Sequence, residues 1–263
     1  MNRIDKTFKS LRRRGKKAFI AYITAGDPNL AVTGKLVLAL EKSGVDIIEL
    51  GIPFSDPMAD GPTIQAASLR ALRAGASLKK IFKLVSVIRR KSGIPIVFMT
   101  YYNPVFKYGL ANFFKSSKLY GVDGVIIPDL PTEEAGEVIK IGKKNNVSTI
   151  FLAAPTSTRK RISDIAVSSS GFIYYVSLTG VTGARKKLPS ELRSKVGLIK
   201  SLTGKPVAVG FGISDAANAK QVAKIADGVI VGSAIVKIVG EKKNIVSKVS
   251  RFAGILAKAI HSV

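Results

Sequence analysis

The feature of this 263-residue chain that most limits its fold is an alternation, repeated eight times, of short apolar runs with longer amphipathic stretches. The runs are AFIAYIT from Ala18, DIIEL from Asp46, PIVFM from Pro95, DGVII from Asp123, STIFLA from Ser148, FIYYVS from Phe172, PVAVG from Pro206 and DGVIV from Asp227. Each is short, rich in β-branched residues and almost continuously apolar, as a parallel strand covered on both faces must be. The stretches between them carry apolar residues at helical spacing. Asp27-Pro28 and Ser214-Asp215 are expected to open helices, and Gly44 and Gly93 to close them. A βα unit repeated without interruption predicts an α/β fold, a single closed (β/α)8 TIM barrel spanning residues 1–263. A doubly wound open sheet would carry a Gly-rich dinucleotide turn after the first strand. The turn here is TAGDP, with no G-x-G-x-x-G.

The segment before the first strand, MNRIDKTFKSLRRRGKK, places Ile4, Phe8 and Leu11 on one helical face. With the strand starting at Ala18 there is no spare segment to remove as a transit peptide, so a short N-terminal helix capping the barrel is expected. Composition excludes several chemistries. With no cysteine there is no disulfide, thiolate metal site or cysteine nucleophile. The single histidine, His261, is expected in a frayed tail, which leaves no Ser-His-Asp triad and no multi-histidine metal site. No apolar run reaches the roughly 20 residues needed to cross a bilayer, and no secretory signal opens the chain, so a cytoplasmic protein without a membrane partner is expected. Lys and Arg number 42 against 17 Asp and Glu, a net charge of +25. These cations are dispersed along the periodic segments rather than gathered with aromatics. They read as solvated helix faces and helix C-termini, not as a nucleic-acid surface. A field of this sign would speed capture of a phosphorylated substrate.

In such barrels the site is built from loops at the C-terminal strand ends. Two of these connections are long, residues 51–62 and 177–188. Strand alternation puts Glu49 on the same face as Ile47; if that face is the barrel interior, a carboxylate sits at its rim. Desolvating a carboxylate there is costly, which points to a general acid/base with a raised pKa. The loop beyond it offers Asp56 and Asp60, stiffened by Pro53, Pro57 and Pro62, and residue chemistry alone does not choose between the two. Gly210, Phe211 and Gly212 after the seventh run, and Gly232 and Ser233 after the eighth, form a candidate phosphate cradle of backbone N–H groups at a helix N-terminus. The connection SLTGVTGARKKL, with Thr182 between Gly180 and Gly183, reads as a closing lid. Tyr22, Tyr101, Tyr174 and Phe211 near the strand ends are candidates to line a pocket for a flat apolar group.

Taken together these pieces resemble the tryptophan synthase alpha subunit family. The resemblance is carried by IELGIPFSDPMADGPTIQ from Ile48, YYNPV from Tyr101, GVIIPDLP from Gly124, APTST from Ala154, SLTGVTGAR from Ser177, VGFGIS from Val209 and ADGVIVGSAIV from Ala226. It covers residues 18–236 in order. It implies retro-aldol cleavage of indole-3-glycerol phosphate to indole and glyceraldehyde 3-phosphate, with no metal or cofactor in this chain. Glu49 would be the main acid/base. Asp60, rather than Asp56, would accept the indole N–H. Tyr22, Tyr101, Ile126 and Tyr174 would surround the indole. Thr182, Gly183, Phe211, Gly212, Gly232 and Ser233 would hold or cover the phosphate. Pro53, Phe54, Asp56, Pro57, Asp129 and Pro131 would dock a beta subunit that carries pyridoxal phosphate, in an α2β2 assembly. The alternative on the same fold is a stand-alone lyase that needs no beta subunit. Tyr22 stands where Phe is also common, Thr100-Tyr101-Tyr102 is less aliphatic than many versions, and the positive charge is atypical.

Overall fold

The computed structural model describes residues 1–176, 190–210, 212–241 and 243–263. Its strands are β1 (Ala18–Thr24), β2 (Ile47–Gly51), β3 (Ile96–Met99), β4 (Gly124–Ile126), β5 (Ser148–Ile150), β6 (Leu152–Ala153), β7 (Ile173–Val176), β8 (Val207–Gly210) and β9 (Gly228–Val231). All pair in parallel in one sheet of order β5-β4-β3-β2-β1-β9-β8-β7-β6. The two outermost members, β5 and β6, are separated in the chain only by Phe151, so they are halves of one strand and the sheet closes on itself. The eight expected runs therefore correspond to the eight staves of a barrel. Following register partners from Tyr22 through Glu49, Val97 and Gly124 leads to Ser148. From Leu152 the path runs through Tyr174, Ala208 and Gly228 back to Ala18. The slips from 148 to 152 and from 18 to 22 together give the shear of 8 expected of this fold.

Helix α1 (Arg3–Arg13) lies across one end of the barrel, and the other helices surround the sheet: α2 (Leu30–Lys42), α3 (Pro62–Arg73), α4 (Leu78–Arg89), α5 (Tyr102–Tyr108), α6 (Leu110–Tyr120), α7 (Gly136–Asn145), α8 (Arg159–Ser168), α9 (Ser190–Leu202), α10 (Ala216–Ala223), α11 (Ser233–Gly240) and α12 (Ile245–His261). Strand alternation divides the core in two. Phe19, Ala21, Ile23, Ile48, Leu50, Phe98 and Val229 face the helices. Ala18, Ile20, Ile47, Val97, Ile126, Ile150, Ala208 and Ile230 fill the barrel.

Helix α1 closes the base of the barrel, as its sequence led one to expect. Ile4, Phe8 and Leu11 are buried against the interior residues, each burial contributing about 1.5–3 kcal/mol. Asn2 starts the helix through a reciprocal cap with Asp5, and its amide donates to the Asp123 carbonyl (3.0 Å) and to Ser148 Oγ (2.7 Å). Asp123 in turn binds Arg3 (2.9 Å) and Arg89 (2.8 Å). Among the described residues no helix is long and apolar enough to cross a membrane.

Three local expectations need correction. Helix α2 is opened by Asn29, whose side chain accepts from the Val32 N–H. Asp27 is instead buried in a two-pronged pair with Arg70 of α3 (2.8 and 2.7 Å), so its carboxylate is not free to cap. Helix α4 ends at Arg89, ahead of Gly93. His261 is no frayed residue: it lies in the last turn of α12, with Nε2 2.8 Å from Asp46 Oδ2. The other two signals agree with the fold. Asp215 caps α10, and Gly44, at φ +95°, follows the end of α2.

Candidate active site

Pairing of β2 between β1 and β3 determines where its carboxylate goes. Ile48 and Leu50 pack outward on the helices. Ile47 lies inside the barrel, so Glu49, two residues on, also points inward, at the C-terminal rim. Glu49 is 1% exposed, and among the described residues neither of its carboxyl oxygens has a hydrogen-bond partner. Burial, and next the nearby Asp60 charge, push its carboxyl up to about 8. An unpartnered buried carboxylate is too costly to keep ionised, so near neutral pH Glu49 holds its proton.

Asp60 comes from the loop that follows. The backbone folds there because Asp60 N–H donates to the Pro57 carbonyl (3.1 Å), while Gln65 Nε2 donates to the Asp60 carbonyl (2.8 Å). One carboxylate oxygen accepts from the Tyr101 hydroxyl at 3.2 Å. Burial raises this carboxyl and the Tyr101 hydroxyl opposes the rise. Asp56 is exposed and bonded to the neighbouring Ser55 hydroxyl. The two aspartates that were equivalent as turn residues are thus separated by the fold: Asp60 faces the mouth beside Glu49, and Asp56 faces solvent.

Tyrosines furnish the walls. Tyr22 of β1 is the register partner of Glu49. Its ring fits because position 51 is glycine; a Cβ there would stand 2.2 Å from the Tyr22 hydroxyl oxygen. Tyr22 shares a long hydrogen bond with buried Thr24 (3.4 Å). Tyr174 of β7 packs against the interior cluster, over Gly210, where a Cβ would lie 2.9 Å from its hydroxyl oxygen. Burial, followed by the carboxylate charges, drives the phenols of Tyr22, Tyr101 and Tyr174 upward, so all three stay neutral. Ile126 is fully buried in the same interior cluster. Met99, Ile64, Ala67 and Val236, not singled out from the sequence, complete the packing around Tyr22. For Met99 the signal was present: it shares an alternation face with Val97.

Next to Tyr22 and Tyr174 in the sheet, Gly212 follows β8 at φ +37°. Gly232 is the N-cap of α11 with no side-chain cap bond, and Ser233 is exposed in its first turn. The opening N–H groups of a helix left without a side-chain cap suit an anion. Thr182, Gly183 and Phe211, and the connection read as a lid, lie outside the described residues. Among the described residues no three His, Cys, Asp or Glu side chains converge as metal ligands.

The residues expected to dock a partner lie on the same end. Pro53 is buried, and Phe54 packs on Tyr101 with ring centroids 5.4 Å apart. Pro57 and Pro131 are half-buried and Asp129 is exposed, with its carboxylate oxygens accepting from the Tyr102 N–H at 2.9 and 3.1 Å. Met58, in the same loop as Asp56, is 93% exposed.

With this geometry in view, the chain compares closely with known proteins. The family model described as tryptophan synthase alpha chain matches residues 8–261. A tryptophan synthase alpha chain of Caldanaerobacter subterraneus subsp. tengcongensis is 53% identical over 244 residues, 93% of either chain. The solved alpha subunit of tryptophan synthase from Legionella pneumophila str. Paris superposes with a TM-score of 0.93 at 39% identity, over 100% of both chains. A chain of the tryptophan synthase complex from Pyrococcus furiosus matches with a TM-score of 0.86 at 40% identity, over 92% of this chain and 99% of that one.

Proposed function

This chain belongs to the tryptophan synthase alpha chain family, and on that premise we propose how its side chains divide the work. The reaction is cleavage of indole-3-glycerol phosphate to indole and glyceraldehyde 3-phosphate, the lyase half of tryptophan synthase. The alpha reaction needs no cofactor. Pyridoxal phosphate belongs to the beta subunit, the partner in an α2β2 assembly, where indole is joined to serine. We read residues 1–263 as one catalytic domain working in the cytoplasm.

Glu49 is the acid and the base. In its protonated form it delivers a proton to indole C3, making that ring an electron sink. The carboxylate so formed removes the proton from the hydroxyl next to the breaking bond. The C–C bond then gives its electron pair back to the ring, the hydroxyl carbon becomes the aldehyde, and Glu49 ends protonated again. A group that gives and regains a proton works best with a pKa near ambient pH, which burial supplies here. Asp60 accepts the indole N–H and offsets the positive charge of the protonated ring. Tyr22, Tyr101, Ile126 and Tyr174 enclose the indole. Gly212, Gly232 and Ser233, with Thr182, Gly183 and Phe211, hold the phosphate. Pro53, Phe54, Asp56, Pro57, Asp129 and Pro131 meet the beta subunit.

The observation that carries this reading is a carboxyl group sealed in the barrel mouth with neither oxygen partnered among the described residues. Its test is Glu49→Gln, which keeps shape and removes the titrating proton. Indole release is expected to fall by at least the roughly 10²–10⁴-fold worth of general acid–base help, while glycerol phosphate still binds. Asp60→Asn is expected to cost less. Near wild-type turnover in Glu49→Gln would remove Glu49 from this role, and full-rate turnover without a partner would favour a stand-alone lyase.

A further inference from the structure

Both stretches assigned to partner docking lead to a single side chain, Tyr101. Its backbone is held from one side: Thr100 N–H donates to the Ile126 carbonyl (3.0 Å), and Tyr102 N–H donates to both oxygens of Asp129 (2.9 and 3.1 Å). Its ring is held from the other side by Phe54, at a centroid distance of 5.4 Å and an interplanar angle of 33°. Its hydroxyl accepts from the Ala59 N–H (2.9 Å) and donates to Asp60 Oδ2 (3.2 Å). A side chain that merely lined the indole pocket would need only its ring. Here the one phenolic proton is committed to a carboxylate, and a lone pair is committed to the backbone of the docking loop.

We propose that Tyr101 is a positioning residue that transmits the seating of the loop 51–62 and of Asp129 on a partner to the orientation of the Asp60 carboxylate. This rests on the reading of Asp60 given above. The physical route is short. The hydroxyl goes where the Ala59 N–H and the Phe54 ring put it, and Asp60 follows because that hydroxyl is its donor. Met58, beside Ala59, leaves a large apolar side chain in solvent, so covering it would press on the same lever. The donated hydrogen bond also favours the charged form of Asp60, the form that accepts an indole N–H.

The test measures lyase turnover of wild type, Tyr101→Phe and Phe54→Ala, alone and with saturating beta subunit, across pH. Tyr101→Phe keeps the ring and its packing and removes only the hydroxyl. We expect kcat of the complex to fall about tenfold, the worth of one hydrogen bond to a charged group, with the isolated chain losing less. KM should change by less than about twofold, since the loss is in the transition state and not in uniform binding. The acidic limb of the kcat profile should move to higher pH, because Asp60 without its donor holds its proton longer. Phe54→Ala, with the hydroxyl intact, should lower stimulation at saturating partner in the same sense. Stimulation within about twofold of wild type in Tyr101→Phe, or an equal loss with and without partner and an unmoved acidic limb, would overturn the inference. If Asp60→Asn keeps full activity, the reading of Asp60 has failed, and not the role of Tyr101 alone.

Discussion

At the scale of single residues, Glu49 illustrates how burial converts an ordinary side chain into a reagent. Two effects raise its carboxyl, desolvation first and the Asp60 charge second, and no hydrogen bond from the described residues opposes them. The linkage has a definite sign. The folded state keeps the Glu49 proton up to about pH 8, whereas the unfolded chain releases it near the ordinary glutamate value of 4.5. Between those values the folded state binds more protons, so this group lowers stability as pH rises through the window. Glu49→Gln cannot ionise. Relative to wild type it is therefore expected to gain on the order of a few kcal/mol between pH 5 and pH 8.5 in urea unfolding. A difference in stability that stays flat with pH would show that Glu49 is not a buried neutral acid. Asp60 differs because a hydroxyl donor resists the rise. Two carboxyls in one mouth are thereby given different protonation preferences, which is what acid–base division of labour requires.

At the scale of elements, glycines at strand ends make room for tyrosines. Position 51 closes β2 beside Tyr22, and a methyl group there would overlap the hydroxyl at 2.2 Å and ring carbons at 2.6 and 2.8 Å. Tyr22 has little room to retreat, since it is buried and packed against Ile64, Ala67, Val236 and Met99. Gly51→Ala is accordingly expected to destabilise by about 1–3 kcal/mol, the usual cost of overpacking, and to raise KM by displacing the indole wall. Chemical denaturation and steady-state kinetics check both effects. The double variant with Tyr22→Phe should recover part of the stability, because it deletes the closest contact; no recovery would place the strain elsewhere. The Asp27–Arg70 pair is another device of this kind, tying the β1–α2 turn to α3, the helix that follows the catalytic loop.

At the scale of the whole molecule, the barrel has a chemical end and a structural end. Each helix returns antiparallel to its strand, so the cations in the last turns of α2, α4, α6, α7 and α10 gather toward the closed base, where they complement the helix dipoles. The base is sealed by α1, with Phe8 on Phe172 at a ring distance of 5.7 Å. Phe8→Ala is expected to cost about 3–5 kcal/mol of stability while kcat at low temperature stays near wild type. A melting curve and an activity assay on the same sample separate these outcomes. A large loss of kcat in folded protein would mean that the plug is coupled to the mouth.

Much of this was legible before any coordinates. The eight βα units, the capping helix and the face shared by Ile47 and Glu49 follow from periodicity, because a strand's alternation and a helix's stripe are local properties of the chain; that this face is the barrel interior was decided by closure of the sheet. His261 and Asp27 were misread for the opposite reason. Their partners, Asp46 and Arg70, are remote in sequence, and no local pattern announces an ion pair. The choice between Asp56 and Asp60 is of the same kind: both sit in turn-forming contexts, and only the position of Tyr101 and the depth of the mouth tell them apart. What the sequence determined alone was which residues are apolar, with what period, and so which side chains share a face of each strand. What tertiary structure decided was which polar groups lose water and which find a partner, because desolvation and hydrogen bonding depend on neighbours that only barrel closure brings together.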